Sequence, residues 1–222
     1  MIRLRTMAAC AMLMLTCVRA VSANMMNDFP LHRAAANDEV VAIKKLLFEG
    51  MAIDARDGSG ATALLVATHA NRVRAAQALI EAGADVNAKD RINDSPYLYA
   101  GARGHHDILI LTLANGADLK STNRYGGTAL IPAAERGHVQ TVQTLIDAGV
   151  EIDHINNLGW TALLEAIILG SGGSSHQQIV DALLTAGANP NLADREGVTP
   201  LAHARAHGYR EIEKRLLAAG GR

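Results

Sequence analysis

The groups in this 222-residue chain that could do chemistry are nine histidines and 22 acidic side chains, because both cysteines, Cys10 and Cys17, lie in its first seventeen residues. His105 and His106 stand beside Asp107 and invite a metal reading, but consecutive helical residues point about 100° apart and make no chelating face. His203 and His207 have a chelating spacing of four, yet no third ligand accompanies them. Asp94, Glu135 and Glu165 could face a common groove, where they read as solvated surface charge. No nucleophile elbow, phosphate-binding glycine loop, dinucleotide fingerprint or His-Glu-x-x-His helix is present. The expectation is a non-enzyme with no catalytic residue, no cofactor and no metal.

The elements that must position these groups follow a strict period. Gly50, Gly83, Gly116, Gly149, Gly187 and Gly220 are spaced 33, 33, 33, 38 and 33. Thr62, Ser95, Thr128, Thr161 and Thr199 keep the same beat and the same five-residue excess. Glycine after an apolar-periodic run fits a helix end, where a left-handed residue is needed. A hydroxyl before such a run fits an N-cap, and Pro96 and Pro200 follow at the first helical position. One helix of each unit carries an i, i+3, i+4 stripe: Ile43/Leu46/Leu47, Ala76/Leu79/Ile80, Leu109/Leu113, Val142/Leu145/Ile146, Val180/Leu183/Leu184 and Leu216/Leu217. The other contributes Leu64/Ala67, Leu130/Ala133, Leu163/Ala166 and Leu201/Ala204. A helix pair with one bare apolar face must stack on its neighbours. Pro132 lies inside a first helix and removes a backbone donor, and Ser171-Gly172-Gly173-Ser174-Ser175 reads as a flexible surface insertion.

Residues 1–23 stand apart from this period. Arg3 and Arg5 precede an apolar run from Met7 to Val18, and Val21-Ser22-Ala23 offers small residues for cleavage, the layout of a secretory signal peptide. The run rises about 18 Å as a helix, short of the roughly 30 Å hydrocarbon core, so no stable membrane span is expected after cleavage. Thr16 before Cys17 makes a poor lipoprotein site, so Cys17 reads as an ordinary apolar residue of the run. Loss of Arg3, Arg5 and Arg19 leaves 18 basic against 22 acidic residues, net −4, and no cysteine, which suits an oxidising compartment. Neither this charge nor the −1 of the whole chain suits a nucleic-acid binder. The expected location is the periplasm.

Gly60-Ala61-Thr62-Ala63-Leu64, Leu79-Ile80-Glu81-Ala82-Gly83-Ala84-Asp85-Val86-Asn87-Ala88 and Gly197-Val198-Thr199-Pro200-Leu201-Ala202-His203-Ala204 resemble ankyrin repeats. The resemblance implies an all-α solenoid of about six helix-turn-helix repeats joined by short β-hairpins or loops. The repeats would span 24–56, 57–89, 90–122, 123–155, 156–193 (with the insertion at 171–175) and 194–222, one domain over 24–222. The family's Thr-Pro-Leu-His histidine survives only as His32, with Leu65, Leu98, Ile131, Leu164 and Ala202 elsewhere, so apolar contact should replace an inter-repeat histidine network. His105, His138 and His176 fall at the family's position opening the second helix. Arg210, Glu211, Glu213, Lys214 and Arg215 would give the last repeat a polar outer face; Met25, Met26, Lys44 and Lys45 would make a weaker cap at the other end.

The family's contact positions carry over to Arg91, Ile92, Asp94, Arg124, Tyr125, Leu158 and Trp160 on the hairpins, and to Arg103, Glu135, Arg136, Ile168 and Leu169 on the first helices. Aromatic residues and Arg dominate binding surfaces, and only 3% of this chain is aromatic. The resemblance therefore implies an adaptor for a protein partner, expected as a monomer; some bacterial periplasmic ankyrin proteins resemble this layout and are linked to protection from oxidative stress, which extends the expectation to envelope stress protection. A small ligand or peptide held near Tyr99, Tyr125 and Trp160, or an inhibitor role against a secreted toxin, would use the same face.

Overall fold

A computed structural model describes residues 29–222. The leader, its cleavage site, both cysteines, Met25 and Met26 lie outside the described residues. Twelve helices follow one another in pairs: α1 Pro30–Ala36 and α2 Val40–Phe48, α3 Ala63–His69 and α4 Val73–Glu81, α5 Pro96–Arg103 and α6 His106–Ala114, α7 Leu130–Glu135 and α8 Val139–Asp147, α9 Ala162–Ile168 and α10 Ser174–Thr185, α11 Pro200–Ala206 and α12 Arg210–Ala218. Each first helix packs on the next first helix and each second helix on the next second helix, giving two parallel layers. No strand is formed among the described residues. The connections are turns closed by two backbone bonds, such as Asp57 N–H to Ala61 O at 3.0 Å with Gly60 N–H to Asp57 O at 2.9 Å, and Asn156 N–H to Trp160 O with Gly159 N–H to Asn156 O, both at 3.0 Å.

The periodic glycines sit just past the second helices with φ between 83° and 95°, a backbone region that costs most L-residues energy. Between the layers, Leu64, Ala67, Leu130, Ala133, Leu163, Ala166, Leu201 and Ala204 are buried, and Tyr97 with Ala100 fills the same place in the third repeat. The stripe of the second helices points into this core except at its end, where Leu217 is exposed because no further repeat covers it. Leu65, Leu98, Ile131 and Leu164 are buried as the lost-histidine pattern implies, whereas Ala202, on the last first-helix, is exposed. His32, at the family's histidine position, bonds the next repeat, Nε2 to Ala61 O at 2.9 Å.

Two expectations need correction. Thr62, Ser95, Thr161 and Thr199 cap their helices through side-chain oxygens, but Thr128 caps nothing and its Oγ1 is buried without a partner. Pro132 supplies the reason. In the other repeats the residue four beyond the cap donates to the cap's carbonyl, as Val66 does to Thr62. Pro132 has no N–H, so the Ile131 N–H turns to Thr128 O at 3.3 Å instead of to the hydroxyl. The second concerns the insertion. Ser174 and Ser175 join α10, which runs twelve residues against nine in the other second helices. The rest is fastened at its start and middle: Tyr209 O–H donates to Gly170 O, just before the insertion, at 2.8 Å, Gln177 Nε2 donates to Gly172 O at 2.9 Å, and the Tyr209 ring lies against Gly172, whose φ is +67°.

The ends differ. On α12 and its approach, Lys214 bonds Glu211 and Arg205 bonds Glu213, both at 2.7 Å, and Arg215 pairs with Asp181 at 2.8 Å. This is the charged outer face a last repeat requires. On α2, Phe48 is 93% exposed and Val41 is exposed beside it.

Candidate functional site

The same Asx turn opens every described hairpin, and it builds the site. Oδ1 of Asp57, Asp90, Asn123, Asn156 and Asp194 accepts the N–H groups two and four residues on. In the fifth and sixth repeats the second side-chain atom bonds the first-helix residue nine positions later. In the fifth repeat that residue is Glu165, and Asn156 Nδ2 donates to its Oε1 at 2.7 Å. In the sixth it is His203, whose Nε2 lies 2.7 Å from Asp194 Oδ2.

Around Glu165 the third, fourth and fifth repeats enclose a cleft of about 250 Å³. Tyr99, Arg103, Pro132, Glu135 and Leu169 come to it from first helices and their ends; Asp94, Arg124, Tyr125, Asn156 and Leu158 come from the hairpins. Glu165 lies at its base, only 6% exposed. Burial, and then the Glu135 charge, push its carboxyl up to about 7, with the Asn156 bond and Arg136 opposing. This corrects the reading of Glu165 as solvated charge: α9 buries it between α7 and α11. Asp94 is likewise raised, by burial and by Asp90.

The arginines at the rim are already engaged. Arg124 lies 3.9 Å from Asp94 and stacks 4.9 Å from the Tyr125 ring centre. Arg103 sits 5.4 Å from the Tyr99 ring, and Arg136 donates to Ala102 O. Tyr125, Leu158 and Leu169 remain 54%, 48% and 51% exposed along the opening.

Of the residues carried over from the family's contact positions, Asp94, Arg103, Arg124, Tyr125, Glu135, Arg136, Leu158 and Leu169 line this cleft. Arg91, Ile92, Trp160 and Ile168 do not. Arg91 donates to Gly58 O in the preceding hairpin, and Ile92 is exposed on its turn. Trp160 is half-buried, and its backbone closes the Asn156 turn. Glu165, Asn156, Tyr99 and Asn123 line the cleft without having been carried over as contact positions.

The histidines are structural ties. His105 Nδ1 lies 3.0 Å from Thr68 O, His176 Nε2 lies 2.9 Å from Glu135 O and His154 Nε2 lies 2.7 Å from Gly126 O. His106 meets Gln140, and His207 stacks on Tyr209 with ring centres 5.2 Å apart. Among the described residues no group of three His, Cys, Asp or Glu could hold a metal, and no helix is long and apolar enough to cross a membrane.

A model of ankyrin repeats in three copies matches residues 6–90 and 97–194. The chain belongs to the ankyrin repeat family. It is 38% identical over 198 residues to the putative ankyrin repeat protein YahD of Escherichia coli K12, covering 89% of this chain and 98% of that one. A crystal structure of an ankyrin repeat domain from Acinetobacter baumannii is 70% identical, with a TM-score of 0.86 over 88% of this chain and 100% of the other. The ankyrin repeat domain of Bcl-3, of the IκB protein family, is 26% identical with a TM-score of 0.78, covering 87% of this chain and 86% of that one. Repeats of this family generally mediate protein–protein interaction, as scaffolds without catalytic chemistry.

Proposed function

We propose that this chain is an exported, non-enzymatic adaptor that binds a protein partner through its concave hairpin and first-helix face, centred on the cleft of the third to fifth repeats. The observation that carries the reading is the cluster of half-exposed Tyr125, Leu158 and Leu169 around one opening, interleaved with Arg103, Arg124 and Arg136. Aromatic, aliphatic and Arg side chains on a rigid frame are what binding surfaces concentrate, and a preorganised frame loses little entropy on association. The cleft is smaller than the roughly 300–1,000 Å³ of small-molecule sites, which favours a partner side chain over a metabolite.

Export rests on the basic, apolar, small-residue order of residues 1–23. It expects a mature protein beginning at Asn24 in the periplasm, read by mass spectrometry of the processed chain. A protective role in envelope stress belongs to the same proposal and expects a deletion strain to be sensitised to oxidants. The binding face is tested by Tyr125→Ala and Leu169→Ala. Each should lower partner capture by at least about tenfold, the loss of one well-packed anchor, with an unchanged melting temperature. Capture unaffected by both would place the interface elsewhere.

A further inference from the structure

We propose that the base of the cleft is a subsite for one arginine side chain of the partner, whose guanidinium bonds Glu165 and Glu135 in the cleft that Tyr99 and Tyr125 also line. This rests on the concave-face reading and names the chemistry the cleft takes.

The argument begins with unmet charge. Three acids and three arginines line the cleft, but they are not paired one to one. Arg124 leans on Asp94 and Tyr125, Arg103 on Tyr99, and Arg136 on the Ala102 carbonyl. Glu135 and Glu165 form no ion pair among the described residues. Glu165 is more than nine-tenths buried, and Asn156 satisfies only its Oε1. Its Oε2 accepts no hydrogen bond from a described residue and is left as an acceptor in the cleft. A buried acid beside the Glu135 carboxylate, with an ion pair to neither, is a costly arrangement. A partner cation placed there relieves both the repulsion and the open acceptor.

Shape narrows the cation. The lining combines carboxylates with two tyrosine rings and the apolar Pro132, Leu158 and Leu169. A guanidinium is planar, stacks on aromatic faces and presents a fork that bonds carboxylates in two directions; its methylene stem lies on apolar surface. An ammonium is more strongly hydrated and makes less use of the rings. A metal ion would find only Glu135 and Glu165 at the base, because Asn156 turns its N–H toward Glu165 and its oxygen holds Leu158 and Trp160; this is short of the oxygen set that hard cations need.

The test uses the purified chain and N-acetyl-arginine methylamide, followed by NMR. Saturable shifts of the Asn156 side-chain amide and of the Tyr99 and Leu169 signals are expected. The neutral citrulline analogue should bind at least about tenfold more weakly, as should arginine to E165Q, because a charge-assisted bond becomes a neutral one. E165Q should keep its melting temperature at pH 5. Equal binding of arginine and citrulline, or of arginine to E165Q, overturns the proposal. Equal binding of the lysine analogue overturns the assignment to arginine. A cleft blind to arginine, while photo-crosslinkers at Leu158 still capture the partner, removes this subsite and leaves the concave face standing. Arginine binding with capture only from the outer face of the second helices overturns the concave-face reading and, with it, the assignment of that arginine to the partner.

Discussion

Asn156 donates its side-chain N–H to Glu165 Oε1 at 2.7 Å while its Oδ1 holds the N–H groups of Leu158 and Trp160. One amide therefore closes a hairpin and anchors a buried acid. Aspartate could do only the first task. Asn156→Asp should keep the turn but set two carboxylates against each other, costing about 2 kcal/mol at pH 8, in the range for breaking a buried charged contact. The loss should shrink at pH 5, where one of the pair is protonated. Urea melts at the two pH values check this.

Glu165 makes stability depend on pH. Its folded pKa, about 7, lies above the 4.5 of a free glutamate, so the native state holds the proton more tightly than the unfolded chain. Its contribution is present below about pH 4.5 and lost as the pH rises towards 7, by roughly 2–3 kcal/mol. E165Q should flatten that slope and be the more stable protein at pH 8. Parallel melts of both proteins across pH 5 to 8 give the answer; identical slopes would contradict the burial of Glu165.

Thr62 and Thr128 should respond oppositely to Val. Thr62 Oγ1 accepts from Leu65 N–H at 3.2 Å, and its loss should cost about 1 kcal/mol. Thr128 Oγ1 is buried and unpartnered, so Thr128→Val should be neutral or stabilising by up to about 1 kcal/mol. Denaturant midpoints of the two variants decide it.

Tyr209→Phe removes the O–H that fastens Gly170. It should cost about 1 kcal/mol and speed hydrogen exchange through residues 170–173. Unchanged exchange there would mean that the ring alone holds the insertion.

The repeat was legible because two unrelated residue types, glycine and a hydroxyl residue, keep one beat and mark helix ends. Leu64, Ala67, Ile43 and Leu79 then had to face inward, and they do. Neighbouring hairpins and first helices bring Asp94, Arg124, Tyr125, Glu135 and Leu169, all taken from the family's contact positions, to one cleft. Burial was not legible. Glu165 occupies the place of Val66 and Tyr99, and nothing in a single repeat says that an acid there is covered by its neighbours. The signal that could have found it is a pairing nine residues apart. The hairpin residue is Asn where the helix carries Glu, and Asp where it carries His. Thr128 was misread for a related reason: a cap depends on the residue four places on, and Pro132 breaks it.

The central claim is that the partner sits on the concave face over the cleft. The most direct measurement places a photo-crosslinking residue at Leu158 or Leu169 in the cleft, and at exposed Ile110 on α6 in the second-helix layer, in cells that make the protein. The account expects one discrete adduct from both cleft positions, diminished by Tyr125→Ala, and none from Ile110. An adduct from Ile110 with none from Leu158 or Leu169 would contradict it.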